Sequence, residues 1–179
     1  MAVKPPEDVL DAVAAAAGRA RSLRVGLRWE QRERYHLTLQ FLGPVQTLAP
    51  VVDGLASAVG DRTAFSFQLG GAGAFPKPGR ARVVWMGAAA GGPDLVSLAA
   101  AVAAGLRPAG YEPDRKEFHP HLTLARLKVP DNVADVLAAI GSEPVGEPFT
   151  VGEVVLYQSR LSPKGPTYTA LARCALRGA

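Results

Sequence analysis

The tetrapeptide His-Leu-Thr-Leu occurs twice in this chain of 179 residues, as His36-Leu37-Thr38-Leu39 and as His121-Leu122-Thr123-Leu124. The two copies use two of only three histidines. In a β-strand, residues i and i+2 point to the same face, so each copy is expected to present one imidazole beside one hydroxyl. Two such strands brought together would surround a small anion with two imidazoles and two hydroxyls. This set of groups is suited to acid–base chemistry at a phosphoester.

The periodicity of the residues around the two motifs predicts the fold class. Alternating or β-rich segments predict strands at 23–29, 35–42, 64–69, 81–87, 118–127, 149–159 and 168–176. Helical periodicity and helix-start signals predict helices at 5–21, 47–59, 93–106 and 132–140, and the Gly- and Pro-rich segment 70–79 is expected to be a loop. Each half of the chain therefore repeats a helix, a motif strand, a second helix and a pair of strands.

This repetition predicts an α+β fold with two similar lobes. We expect a single two-lobed domain over residues 1–179, with two antiparallel sheets related by a pseudo-twofold repeat. The sheets would enclose a central cleft, and the helices would lie on their outer faces.

The composition limits the class of protein. Hydrophobic residues make up 48% of the chain, which indicates a globular protein. No apolar run has the length of a membrane span, and the N-terminal residues lack a signal-peptide pattern. Cys174 is the only cysteine, which excludes an internal disulfide and favours a cytoplasmic location. The net charge of +4 is carried mainly by 15 arginines, which favours an anionic ligand.

Longer segments around the motifs resemble a known family. They are 35–43 (Tyr-His-Leu-Thr-Leu-Gln-Phe-Leu-Gly) and 118–126 (Phe-His-Pro-His-Leu-Thr-Leu-Ala-Arg), supported by 80–85, 156–159 and 165–168. In sequence and order they resemble the RNA 2′,3′-cyclic phosphodiesterase (2′-5′ RNA ligase-like) family of the two-histidine phosphoesterase superfamily. One departure is that only three residues precede Lys4-Pro5, where the family has a full apolar strand. We therefore expect an incomplete strand at the edge of one sheet.

The resemblance assigns roles to the motif residues. It implies that His36 donates a proton to the departing 3′ oxygen and that His121 accepts a proton from the attacking water, which leaves a 2′-phosphate. From the residues alone the two roles are interchangeable. Thr38 and Thr123 would donate hydrogen bonds to phosphoryl oxygens. This scheme requires no metal and no cofactor.

Two further residues are candidates for substrate binding. The resemblance implies that Arg126 lies near the substrate. Arg126 follows His121 by five residues, however, so in an ideal strand its side chain would point to the opposite face. Only a strand end or a bulge would bring it to the phosphate. Phe41 is a candidate for stacking on a base, as are other aromatic residues. His119 shares a strand face with His121 but has no threonine at i+2, so it is the weaker candidate.

The sequence leaves three functions open. The first is hydrolysis of 2′,3′-cyclic phosphates on RNA ends or nucleotides, and the second is the reverse reaction, 2′-5′ RNA ligation. The third is a non-catalytic module that binds RNA ends or nucleotides, which the intact histidines and threonines of both copies disfavour. In each case the expected partner is RNA or a nucleotide, with no membrane and no obligate protein partner.

Overall fold

The computed structural model describes residues 1–24, 26–112, 117–163 and 165–179. Within these residues the chain forms four α-helices and nine β-strands. The helices are α1 (Glu7–Gly18), α2 (Leu48–Val59), α3 (Gly92–Gly105) and α4 (Ala134–Ile140). The strands are β1 (Ala2–Val3), β2 (Leu27–Trp29), β3 (Leu37–Thr38), β4 (Phe65–Phe75), β5 (Ala81–Ala90), β6 (Leu122–Asp131), β7 (Pro144–Val151), β8 (Glu153–Arg160) and β9 (Thr167–Ala175).

The strands form an antiparallel sheet in the order β7-β4-β5-β6-β3-β1-β8-β9, with β2 paired to β6. The two motif strands, β6 and β3, are neighbours at the middle of this order, with three strands on either side. The α+β prediction is confirmed. The two expected sheets are halves of one hydrogen-bonded sheet, because the two-residue strands β3 and β1 join them.

The helices cover the outer faces of the sheet. α1 packs against β7, α4 packs against β4, and α2 packs against both α3 and β9. Glycines allow α2 and α3 to approach closely, since a Cβ added at Gly54 would lie 2.5 Å from the carbonyl oxygen of Gly105. No helix in the described part of the chain has the length and apolar character needed to cross a membrane.

The leucines of the two motifs form part of the hydrophobic core. Leu37, Leu39, Leu122 and Leu124 are all buried, whereas the histidine and threonine that alternate with them are partly exposed. Burial of these leucines removes apolar surface from water on one face of the sheet. The same alternation places the polar motif side chains on the other face.

The segment 70–79, expected to be a loop, is largely strand, because β4 continues to Phe75. Gly71 has φ +69° at a register shift between β4 and β5, a left-handed conformation that favours glycine. Gly73 lies against the indole of Trp85, and a Cβ added there would be 2.2 Å from ring carbons. Within β4, Gly71 therefore permits a bulge and Gly73 permits the close approach of the Trp85 indole.

The single strand expected at 149–159 is two strands that meet at Gly152. β7 pairs with β4, whereas β8 pairs with β1 and β9, so the chain passes from one half of the sheet to the other at this glycine. β1 lies in the interior of the sheet between β3 and β8, so the expectation that it forms an edge was wrong.

The strands expected at 23–29 and 35–42 are shorter in the structure. The first is reduced to β2 and the second to β3. Val25, within the first predicted strand, lies outside the described residues, as does Lys164 of the turn before β9.

Candidate active site

A cleft of about 1060 Å³ brings together the six residues that the sequence singled out. It is lined by His36, Thr38, Phe41, His121, Thr123 and Arg126. Residues from both halves of the sheet therefore contribute to one space. Phe41 lies at the surface of the cleft and is 74% exposed.

The pairing of the motif strands determines which side chains face each other. Leu37 on β3 is the partner of Leu122 on β6 in an antiparallel ladder. If this register continues by one residue on each side, His36 lies across from Thr123 and Thr38 lies across from His121. Each imidazole also has its own threonine at i+2 on the same face of its strand.

The backbone holds both imidazoles in the same way. His36 Nδ1 lies 2.7 Å from the carbonyl oxygen of Arg34, and His121 Nδ1 lies 2.7 Å from the carbonyl oxygen of His119. A carbonyl oxygen can only accept a hydrogen bond, so Nδ1 carries the proton in each ring. Nε2 is then the nitrogen available for proton transfer in both residues.

Burial lowers the pKa of both imidazoles below its ordinary value. The main cause for His36 and for His121 is desolvation of the charged form, and the hydrogen bond from Nδ1 to the backbone carbonyl opposes it. The positive charge of Arg126 also lowers the pKa of both rings. Burial therefore favours the neutral form of both histidines in the unliganded protein.

Aromatic side chains surround each imidazole, and those beside His36 carry hydroxyls. The ring centroid of Tyr168 on β9 lies 4.9 Å from that of His36 in an edge-to-face arrangement, and that of Tyr157 on β8 lies at 6.4 Å. Both tyrosines line the cleft. Packing of this kind restricts rotation of the imidazole ring.

His121 is packed against aromatic rings of the opposite hairpin. The ring of Phe75 on β4 lies 5.0 Å from His121 at an interplanar angle of 89°, and the ring of Trp85 on β5 lies at 6.4 Å. The two histidines therefore occupy equivalent positions in the pseudo-twofold arrangement. Their surroundings differ, because the aromatic rings beside His121 carry no hydroxyl.

A β-bulge turns Arg126 into the cleft. The ladder between β5 and β6 has a register shift beside Trp85, which makes Leu124 an extra residue in β6. Leu124 and Ala125 are consecutive and both are fully buried, as this change of alternation requires. Arg126 consequently shares the cleft with His121, although the spacing of five would separate them in an ideal strand.

His119 contributes through its backbone and through packing. Its carbonyl oxygen accepts the hydrogen bond from His121, and its ring lies 4.8 Å from the ring of Trp85. The His119 side chain is exposed and is not among the residues that line the cleft.

The cleft also contains residues that were not predicted to belong to the site. Glu30, Arg34, Phe118, Tyr157 and Ser159 all line it. Tyr157 and Ser159 are two residues apart on β8, so strand alternation could have linked them. Glu30 and Arg34 lie at the ends of short elements, where an isolated charge usually indicates a solvated surface.

The donor set of the cleft is one of imidazoles, hydroxyls and guanidinium groups. In the described ranges, no group of three or more His, Cys, Asp and Glu side chains is placed to hold a metal ion. The residues in the cleft can exchange protons through Nε2 and can donate hydrogen bonds to an anion.

Known proteins share sequence and fold with this chain. The family model described as "2'-5' RNA ligase superfamily" matches residues 6–162. The chain is 36% identical over 156 residues to the RNA 2′,3′-cyclic phosphodiesterase of Aeropyrum pernix, covering 82% of this chain and 85% of that protein. It is 40% identical over 149 residues to the protein of the same name from Archaeoglobus fulgidus, covering 82% of each. The crystal structure of TT0787 of Thermus thermophilus superposes with a TM-score of 0.80 at 32% identity, covering 99% of this chain and 96% of that one.

Proposed function

Because the chain belongs to the 2′-5′ RNA ligase superfamily and is an enzyme of the RNA 2′,3′-cyclic phosphodiesterase type, we propose that it hydrolyses 2′,3′-cyclic phosphates to 2′-phosphomonoesters by paired histidine catalysis. The substrates are RNA ends or nucleotides. The observation that carries the proposal is the matched anchoring of His36 and His121, which leaves both Nε2 atoms available for proton transfer in one cleft.

The two histidines exchange protons with water and with the leaving oxygen. His121 Nε2 accepts a proton from water as the water oxygen bonds to phosphorus. The bond between phosphorus and the ribose 3′ oxygen breaks, and protonated His36 donates its Nε2 proton to that oxygen. The phosphate stays on the 2′ oxygen, and proton exchange with solvent restores the starting state of both rings.

The substrate supplies the charge that protonates His36. Burial lowers the pKa of the free imidazole, whereas an adjacent phosphate anion favours the charged form. Binding of the cyclic phosphate therefore raises the pKa of His36 and prepares it to act as the acid. His121 acts as the base in its neutral form, which burial favours by lowering its pKa, with a smaller contribution from the positive charge of Arg126.

Three side chains bind the phosphate in this scheme. The hydroxyls of Thr38 and Thr123 donate hydrogen bonds to the phosphoryl oxygens, and the Arg126 guanidinium neutralises charge that develops there. All three line the cleft.

The apolar part of the cleft accommodates the nucleobase. Phe41, Phe118 and the face of α3 that carries Val96, Ala99, Ala100 and Ala103 line the same space as the histidines. Phe41 stacks on the base, which is a contact tolerant of base identity. We also infer that residues 1–179 act as a single two-lobed domain, since both motif strands are needed to form the cleft.

Analysis of the product from an oligonucleotide that ends in a 2′,3′-cyclic phosphate tests the proposal. We expect a terminal 2′-phosphate, identified by chromatography against authentic 2′- and 3′-phosphate standards. A 3′-phosphate would reverse the roles of the two histidines, and an unchanged substrate would favour the non-catalytic module. Adding an RNA with a 5′-hydroxyl tests the ligase alternative, which predicts a joined 2′-5′ product.

A further inference from the structure

The carboxylate of Glu30 lies within the cleft that we propose binds the substrate phosphate. Glu30 lines the cleft, and its side chain is only 19% exposed. Its Oε1 lies 3.4 Å from Nε of Arg126, whose side chain is 59% exposed. A negative charge here repels a bound phosphate, so the presence of Glu30 in the cleft requires another explanation.

The backbone fixes Glu30 at the bulge that turns Arg126 into the cleft. The amide of Glu30 donates a hydrogen bond of 2.8 Å to the carbonyl oxygen of Leu124, the extra residue of β6. Arg28, two residues before Glu30, is the cross-strand partner of Arg126. Like charges in such a pair repel each other, and the Glu30 carboxylate offsets that repulsion.

The contact with Glu30 engages one edge of the guanidinium. Among the described residues, the Arg126 side chain makes no hydrogen bond other than the one from Nε to Glu30. Nη1 and Nη2 form the fork that fits two oxygens of one phosphate. A contact restricted to Nε therefore orients the side chain without using the atoms that bind the anion.

We propose that Glu30 is a positioning residue, which holds Arg126 through Nε and directs Nη1 and Nη2 to the phosphoryl oxygens of the substrate. This inference rests on the proposed function, in which Arg126 binds the cyclic phosphate. Glu30 does not touch the substrate and does not transfer a proton. Its effect on turnover is transmitted through Arg126 alone.

A double-mutant cycle with Glu30→Gln and Arg126→Ala tests the inference. Steady-state kinetics with 2′,3′-cyclic AMP are measured for the wild type, both single variants and the double variant. Glu30→Gln preserves the shape of the side chain but removes its charge, so it should lower kcat/KM by roughly tenfold, the loss of about one charge-assisted contact. In the Arg126→Ala background, the same change should leave kcat/KM unchanged or raise it, because it removes only the repulsion between the Glu30 carboxylate and the substrate phosphate.

The matched control is Glu153→Gln. Glu153 also forms an ion pair with an arginine, Arg173, but the pair lies on the hairpin of β8 and β9 and neither residue lines the cleft. This variant should retain the wild-type kcat and KM. An increase in kcat/KM for Glu30→Gln in the presence of Arg126 would overturn the inference, as would an equal loss in both backgrounds.

Binding measurements separate this inference from the proposed function. Titration calorimetry of the same four proteins with 2′-AMP should show weaker binding for Glu30→Gln only when Arg126 is present. If the wild type binds 2′-AMP with this coupling but does not turn over the cyclic phosphate, the proposed function fails and the role of Glu30 stands. If Glu30→Gln binds 2′-AMP as tightly as the wild type does, the role of Glu30 is overturned. If the wild type neither turns over the cyclic phosphate nor binds 2′-AMP, both are overturned.

Discussion

Leu37 on β3 is paired with Leu122 on β6, and both side chains are completely buried. This pair lies at the midpoint of the strand order, where the two halves of the sheet meet. Residues on either side of it are therefore related by an approximate twofold axis. The pair fixes the relative position of the two histidines through the hydrophobic core beneath them.

Replacing either motif histidine should abolish most of the activity. We expect His36→Ala and His121→Ala each to lower kcat by at least ~100-fold, the usual minimum for one general acid or base. His119→Ala should lower kcat far less, because the His119 side chain does not line the cleft and the variant keeps the backbone carbonyl that accepts the hydrogen bond from His121. Release of product from 2′,3′-cyclic AMP provides the measurement. A loss for His119→Ala as large as that for His121→Ala would contradict our choice of the second histidine.

The pH dependence should differ between kcat/KM and kcat. Burial lowers the pKa of His36 and of His121 in the free protein, so both limbs of the bell-shaped kcat/KM profile should lie below the ordinary titration range of histidine. Bound phosphate raises the pKa of His36. The basic limb of kcat, on which His36 loses its proton, should therefore appear at higher pH than that of kcat/KM.

Variants assign the limbs of these profiles. The acidic limb reports protonation of the base and should disappear in His121→Ala, whereas the basic limb should disappear in His36→Ala. Residual activity can be followed with a large amount of enzyme. A complete bell in both variants would show that other groups cause the limbs.

The threonine hydroxyls should contribute to turnover independently of strand packing. Thr38→Val and Thr123→Val keep the β-branched shape but remove the donor, so each should lower kcat by roughly 10- to 100-fold, as expected for loss of a hydrogen bond to developing charge. Thr38→Ser and Thr123→Ser, which retain a hydroxyl, are the matched controls. Full activity in the valine variants would mean that these residues serve only as strand formers.

Gly73→Ala should damage the packing around His121. The added Cβ would lie 2.2 Å from ring carbons of Trp85, and the indole could not stay beside Phe75 and His121. We expect a loss of roughly 1–3 kcal/mol in the free energy of unfolding, typical of overpacking, with a lower kcat. Denaturant unfolding and steady-state kinetics provide the two measurements. Adding Trp85→Leu should recover stability, and failure to do so would point to a backbone cause.

Removal of metal ions should leave turnover unchanged. In the proposed scheme the two imidazoles transfer all the protons, and the hydroxyls with Arg126 stabilise the charge. We therefore expect the same kcat before and after dialysis against EDTA. A loss of activity that zinc or magnesium restores would overturn the metal-free mechanism.

The sequence predicted the helices and the motif strands because their signals are local. Helical periodicity and the leucine–polar alternation depend only on neighbours in the chain. The continuation of β4 through Gly71 and Gly73 was missed because glycine normally indicates a turn, whereas here the indole of Trp85 requires the space. The division at Gly152 was missed because one apolar pattern continues across two strands that pair with different halves of the sheet.

The candidate site was predictable to the extent that it repeats. The two copies of the motif identified four cleft residues without any knowledge of their contacts. Arg126 depended on a bulge that spacing alone cannot reveal. Glu30 was missed because its relation to Arg126 arises from the pairing of β2 with β6, which are far apart in sequence.

The approximate twofold axis through the cleft bears on which of the two ester bonds of a cyclic phosphate is cut. Two equivalent imidazoles could exchange acid and base roles, and a symmetric site would cut either ester bond of a cyclic phosphate with equal ease. Any preference for one product isomer must therefore come from residues that differ between the halves. Phe41 and Arg126 occupy the same position relative to their histidines, five residues further along the chain, yet one is apolar and the other is charged. Exclusive formation of the 2′-phosphate, as proposed here, would thus be a consequence of broken symmetry, with the substrate held in one of two opposite orientations.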